Sequence, residues 1–266
     1  MCGRPTPESL GAGRQGFYTA SGRACKPAVP SRIRLGFVMA RLYHFPLDPF
    51  CRRLRLALGE YGAAAELVEE RPWDVRAAFL ELNPAGQVPV FVDDDGSLAA
   101  GIEAASEYLE ETRGGLSRTL LGPTPATRAE TRRLIAWFDA KFYNEVCGPL
   151  LAEKAVRRFM TREAGGGPPE MGRVRTAMSF IRGHLDYVGS LADARNWLAG
   201  DHLTSADLAA AAQLSVVDYL GDVPWHENAA AKQWYQRIKS RPAFRPLLAD
   251  QIRGMPPPRQ YADLDF

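Results

Sequence analysis

A chain of 266 residues, 46% apolar and 24% charged, carries enough apolar side chains for one large or two modest globular cores. The formal net charge of +2 conceals an asymmetry: positions 1–38 hold six basic residues and one acidic residue, and that +5 leaves −3 for the remainder, which excludes the basic footprint of a nucleic-acid binder. No apolar run approaches the roughly 18 residues of a membrane span, and the spacing of Cys2, Cys25, Cys51 and Cys147 points to neither a disulfide framework nor a metal site.

Positions 1–38 are rich in Gly, Pro, Ser and Arg and lack both apolar periodicity and the apolar core of a secretory signal. A transit peptide, a disordered extension and a start assigned too early all fit this composition. The last two are preferred, with Met39 as the functional start. Arg41–Phe45 reads as a short strand. Asp48-Pro49 opens a helix, with Asp at the cap and Pro at the first helical position, and Gly62 stops it. Glu66–Glu69 is a second strand, and Phe79–Leu82 a short helix ending at Asn83-Pro84. Val88–Val92 is an apolar strand. Asp95-Gly96 is a turn, Leu98-Ala99 begins the return strand, and Ile102–Glu111 closes the unit as a helix. The order is βαβαββα.

Beyond a Gly-, Pro-, Ser- and Thr-rich stretch the chain reads as helical. Leu134, Ile135, Phe138, Phe142 and Val146 form one stripe, and Val174, Met178, Ile181, Leu185 and Val188 another, separated by Gly165–Pro169. Ala206–Tyr219 is nearly uncharged, which predicts burial on all sides. Ala229–Lys239 and Phe244–Gln251 follow.

The βαβαββα order resembles the glutathione-transferase N-terminal domain, and Asn83-Pro-Ala-Gly-Gln-Val-Pro89 resembles that family's NPxGxVP phrase. The resemblance implies a cis Pro89, with the Val88 backbone facing the cysteinyl part of glutathione. Gly200-Asp-His-Leu-Thr-Ser-Ala-Asp207 is similar to the family's G-x-x-x-T-x-A-D capping motif, in which Thr204 caps a buried helix and Asp207 reaches back. Arg241-Pro-Ala-Phe244 is similar to the phrase before the last family helix. The implied fold class is α/β plus all-α: a thioredoxin-like domain (39–112), a linker (113–125), an all-helical domain (126–253) and a Pro-rich tail (254–266).

The resemblance breaks at the chemistry. The family's Ser or Cys at the first helix is matched here by Asp48, which accepts hydrogen bonds but cannot donate one to a thiolate. The first-strand Tyr of some classes is matched by His44, a weak candidate. The Glu-Ser pair that holds the γ-glutamyl end is replaced by Gly101 and Ile102, removing two charge-assisted hydrogen bonds of roughly 1.5–3 kcal/mol each. Cys51 and Cys147 read as buried structural thiols.

Tyr43–Cys51 (YHFPLDPFC), Val68–Trp73 (VEERPW) and Pro256–Phe266 (PPPRQYADLDF) resemble a subgroup of alphaproteobacterial transferase-like division proteins. That resemblance implies a cytoplasmic homodimer recruited to the division site, binding the tubulin-like GTPase FtsZ, altering filament curvature and promoting constriction, with no catalytic role, cofactor or metal. Two rivals remain: a glutathione-dependent transferase or isomerase, and a small-molecule binding module using the interdomain cleft. The expected partner contacts are Trp73, a residue type favoured at interface hot spots, and Tyr261, Asp263, Leu264, Asp265 and Phe266 of a tail expected to add little to stability.

Overall fold

The structure is a computed structural model that describes residues 39–265. The leader at positions 1–38 and Phe266 lie outside the described residues. Strand β1 (Arg41–His44) pairs in parallel with β2 (Glu66–Glu69) and antiparallel with β3 (Val90–Val92), which pairs antiparallel with β4 (Leu98–Ala100). The sheet order is β2-β1-β3-β4. Helix α1 (Pro49–Tyr61) is capped by Asp48, whose Oδ1 accepts from Cys51 N at 2.8 Å, and it ends at Gly62 in the left-handed conformation. Helices α2 (Ala77–Leu82) and α3 (Ile102–Leu109) complete the βαβαββα unit.

The expected linker at 113–125 is helical for its first half. Helix α3 runs on through π-helical Glu110–Gly114 into α4 (Gly115–Arg118). Composition suggested a loop, but two charged side chains hold this stretch in place. Arg113 donates to both oxygens of Asp93, at 2.6 and 2.7 Å. Glu110 accepts from Tyr61 Oη at 2.5 Å and from Leu120 N at 3.0 Å.

Helix α5 (Pro125–Ala136) begins with a Thr124 capping box. It continues as one rod through π-helical Trp137–Cys147, α6 (Gly148–Leu151), π-helical Ala152–Val156 and α7 (Arg157–Phe159). The first widened stretch ends just before Pro149, which has no N–H to donate to the ladder. Helix α8 (Met171–Ala194) packs Val174, Ile181, Leu185 and Val188 inward. Helix α9 (Ser205–Tyr219) is buried at every position from Ala206 to Tyr219 and lies against α1, so it is the common core of both domains. Helices α10 (Ala229–Lys239) and α11 (Arg245–Leu248) close the bundle. Close approach there depends on Gly59 of α1: a Cβ at that position would stand 2.8 Å from Ala243 Cβ.

The start of α9 is held by Asp207, which has no exposed surface. Its Oδ2 accepts from Thr204 N at 3.0 Å and Thr204 Oγ1 at 3.1 Å, while Oδ1 accepts from Leu198 N at 2.9 Å and Trp234 Nε1 at 3.0 Å. One carboxylate therefore satisfies donors from four separate groups. Asp207→Ala leaves them buried without an acceptor, at about 1–3 kcal/mol per orphaned group. The expected outcome is a loss of roughly 3 kcal/mol or more in urea unfolding, with Asp207→Asn retaining part of it. Unchanged stability of the alanine variant would overturn this assignment.

Candidate functional site

The positions expected to face glutathione are Asp48, Val88-Pro89, Gly101 and Ile102. Asp48 sits half-buried at the N-terminus of α1, and the neighbouring Phe50 ring packs on Tyr143 of the rod, centroids 4.8 Å apart. Burial pushes the Asp48 carboxyl up to about 6, against the hydrogen bonds from Cys51 and Phe50. Burial and then the Asp48 charge raise the Tyr143 hydroxyl to about 12. Burial also raises the Cys51 and Cys147 thiols well above their ordinary value, with Asp48 adding to each shift. Both cysteines are buried, as expected of structural thiols, and burial outweighs the Arg55 charge at Cys51 and the Arg52 charge at Cys147, which pull the other way.

The Val88-Pro89 peptide bond is cis, and Gly101 N donates to Pro89 O at 2.9 Å, so these two expected positions meet. Gly101 has φ 85° and ψ 156°, a region that is essentially glycine-only. A glutamate at these dihedral angles would be strained. Ile102, the first residue of α3, offers no hydrogen-bonding group from its side chain.

His44 is 5% exposed, and its Nδ1 is buried without a hydrogen-bond partner. Burial, reinforced by Arg55, lowers its pKa to about 4. The imidazole is a neutral core group. On the β3–β4 turn, Asp93, Asp94 and Asp95 are close enough to share an ion. Asp93, however, is buried and already accepts from Tyr108 Oη at 2.7 Å and from Arg113.

Trp73 is half-buried and turned into the molecule. Its ring meets Phe45 edge-on at 5.0 Å and stacks on Phe159 of α7 at 6.4 Å, with the Arg71 guanidinium 5.5 Å from the same Phe159 ring. The exposed apolar group of this loop is instead Val75, 64% exposed with φ 47°. A β-branched residue in the left-handed region is strained, at about 1–2 kcal/mol. The sequence signal that could have drawn attention to it was the string Trp-Asp-Val between two arginines, which reads as an ordinary loop.

The tail departs most from expectation. Tyr261 has no exposed surface. Its hydroxyl accepts from Arg52 Nη1 at 3.0 Å and donates to Leu247 O at 3.0 Å. Lys239 Nζ donates to Asp263 O at 2.7 Å and Gln260 O at 3.3 Å, and Tyr219 Oη donates to Met255 O at 2.8 Å. Tyr261 is thus an anchor in the core and not a surface contact, because Arg52 needs the phenol as an acceptor. Asp263, Leu264 and Asp265 follow it onto the surface, with Leu264 39% exposed.

Residues 42–117 match the glutathione S-transferase N-terminal domain family. FtsZ-localized protein A of Caulobacter vibrioides is 46% identical over 228 residues, covering 85% of this chain and 97% of that protein. The chain belongs to the FtsZ-localized protein A family. The solved structure of FzlA from C. crescentus superposes with a TM-score of 0.80, covering 86% of this chain and 100% of that one. A structure named glutathione S-transferase from Sinorhizobium meliloti 1021 is 50% identical with a TM-score of 0.83, over 86% and 100% of the two chains. The FtsZ-localized protein A family therefore shares its scaffold with proteins bearing both names, and the expected fold class of a transferase-type α/β domain followed by helices is established. No helix among the described residues is long and apolar enough to cross a membrane.

Two outcomes follow for this region. Tyr261→Phe removes an acceptor from a buried guanidinium and should lower unfolding free energy by about 1–3 kcal/mol. Deleting Tyr261–Phe266 should lower Tm further, and an unchanged Tm in both variants would return the tail to a frayed end. The second outcome concerns pH. The folded chain keeps the Asp48 proton up to about pH 6, whereas an unfolded Asp releases it near 3.8. The ionised carboxylate therefore opposes folding above about pH 6, and the effect disappears below 3.8. Asn is an equally good cap. Asp48→Asn should raise stability at about pH 8, on the order of 1–2 kcal/mol, with the gain gone near pH 4. His44 runs the other way: the unfolded imidazole takes a proton near 6.5 and the folded one resists to about 4, so stability falls as pH drops through that window. Urea titrations across pH for parent and Asp48→Asn measure both.

Proposed function

We propose that this chain is a non-enzymatic, transferase-like adaptor that binds FtsZ, acts as a cytoplasmic homodimer recruited to the division site, alters filament curvature and promotes constriction. The observation that carries the reading is its 46% identity to FtsZ-localized protein A across 97% of that protein's length. The loss of glutathione chemistry is supported at three positions. Asp48 offers a carboxylate where a donor is needed. The Gly101 backbone has a glycine-only geometry. Ile102 presents an alkyl side chain in place of a hydroxyl.

For partner contact the reading favours two surface segments. One is Asp263, Leu264 and Asp265, displayed by the buried Tyr261 anchor, with Phe266 beyond the described residues. The other is the loop of Trp73, in which the indole supports the loop and Val75 makes the apolar contact. A glutathione-dependent transferase or isomerase is the second reading, favoured by the name of the 50% identical Sinorhizobium structure.

Co-sedimentation with FtsZ polymers in GTP, beside retention on immobilised glutathione, separates the two. The parent chain is expected to pellet with FtsZ and to show no glutathione binding up to about 1 mM, the weak end of the affinity scale. Retention on glutathione without pelleting would establish the enzyme reading instead. Within the adaptor reading, Leu264→Ala and the pair Asp263→Asn with Asp265→Asn should weaken pelleting at unchanged Tm. Only the Asp pair's effect should shrink as salt rises, because the Debye length is about 8 Å at physiological ionic strength. Val75→Gly relieves the left-handed strain, so Tm should hold or rise while pelleting weakens. Normal pelleting by all of these variants would remove both segments from the contact.

A further inference from the structure

His184, on α8, is 3% exposed, and both of its ring nitrogens are engaged by the rod. The Trp137 indole N–H donates to Nδ1 at 3.3 Å, and Nε2 lies 2.9 Å from Glu145 Oε2. An indole nitrogen only donates, so Nδ1 accepts and carries no proton. The ring proton is therefore on Nε2 and is donated to Glu145. Phe142 meets the imidazole edge-on, with centroids 4.9 Å apart.

The rod supplies both charges that act on this ring. Glu145 favours the imidazolium, Lys141 opposes it, and Lys141 is itself paired with Glu145. The charged neighbours on α8 are engaged elsewhere: Arg182 pairs with Glu227 at 2.5 Å, and Asp186 accepts from Asn228 Nδ2 at 3.1 Å. Helix α10, which also packs on α8, carries Lys232, Tyr235, Arg237 and Lys239, none of which is among the charges acting on the ring. Helix α6, Gly-Pro-Leu-Leu, carries no charge. Burial outweighs Glu145, so the imidazole is neutral at ordinary pH and takes up a proton only below 6.5.

That proton, drawn from solvent, must go to Nδ1, where it faces the indole N–H. Two donors then meet across a distance set for one hydrogen bond, while the bond to Glu145 becomes charge-assisted and stronger. The two ties thus respond in opposite senses to one event. Trp137 is half-buried, and its ring also touches Tyr187 at 4.4 Å and the exposed Lys141 ammonium at 5.6 Å. We propose that His184 is a proton-operated latch between α8 and the rod: neutral, it holds the Trp137 indole; protonated, it releases that indole and keeps Glu145. The surface formed by Trp137, Lys141 and Tyr187 then differs between neutral and acidic conditions.

The test is NMR of the full chain from about pH 8 to about pH 5, following the His184 ring nitrogens and the indole N–H signals. The range stops short of His44, which titrates at about 4. Trp137→Phe identifies the Trp137 signal. At neutral pH the ring nitrogens should report a proton on Nε2 alone. As pH falls, the Trp137 signal should move to the position of a water-exposed indole, with the midpoint of the His184 imidazole, while the other indoles stay in place. The same change should persist in Asp48→Asn, since Asp48 titrates at about 6. Coupling works in both directions. Trp137→Phe should raise the His184 midpoint, because protonation no longer costs a hydrogen bond, and Glu145→Gln should lower it, because the imidazolium loses its partner. Both substituted side chains are partly exposed, and circular dichroism checks that the variants are folded. The proposal is overturned by a Trp137 signal that stays in place as His184 titrates, by a His184 midpoint unchanged in either variant, by a proton on Nδ1 at neutral pH, or by a His184 that takes no proton in this range while the chain is folded.

Discussion

Arg52 is a guanidinium with no exposed surface, placed in α1 and held by groups from α9, from the segment after α11 and from the tail. A buried charge left without partners is strongly unfavourable, so the structure is organised to supply them. Nε donates to Pro46 O at 2.7 Å, Nη1 to Ser215 Oγ and Tyr261 Oη, and Nη2 reaches Asp250 at 3.5 Å. Arg55, one turn on, binds both oxygens of Asp250 at 2.8 and 2.9 Å. These contacts join α1 to α9, to the segment after α11 and to the tail. Neither domain closes its core without the other, and the C-terminal segment is part of the fold.

This arrangement changes what the two ends of the tail can do. A segment rich in proline and poor in apolar groups would ordinarily be mobile. Here the Tyr261 ring lies between the cations of Arg52 and Lys239, at 5.9 and 5.7 Å, and edge-on to Tyr219 at 5.1 Å. The anchor restricts where Asp263–Asp265 emerge. A partner meeting that segment encounters a preorganised surface and loses less conformational entropy on binding than it would with a free tail.

The domain junction keeps the backbone features of the transferase scaffold. The helix start, the cis Val88-Pro89 bond and the buried cap of α9 are in place. The groups standing at the expected glutathione positions are Asp48, Gly101 and Ile102. Asp48 still serves the helix by accepting from Cys51 N, while burial, with the Asp48 charge adding to it, raises the two cysteine thiols. The aromatic contacts of Phe50 with Tyr143 and of Trp73 with Phe159 tie the α/β domain to the rod at that junction.

The sequence by itself determined the local features: the Asp48 cap and Gly62 stop of α1, the Glu66–Glu69 strand, the Thr204–Asp207 box and the all-round burial of α9. Each rests on backbone and side-chain chemistry within a few residues, or on a periodicity that any helix must follow. The overall family resemblance was legible for the same reason, since its motifs are caps and turns. Tertiary structure alone decided that Tyr261 is an anchor, because its partner Arg52 stands 209 positions away and no local pattern encodes which acceptor a buried guanidinium will find. It also decided that Trp73 packs inward while Val75 is exposed, that Gly114 and Gly115 continue a helix held by Glu110 and Arg113, and that Gly101 adopts a backbone closed to other residues. In each case the outcome turns on a contact or a dihedral angle imposed from outside the segment, and composition does not record it.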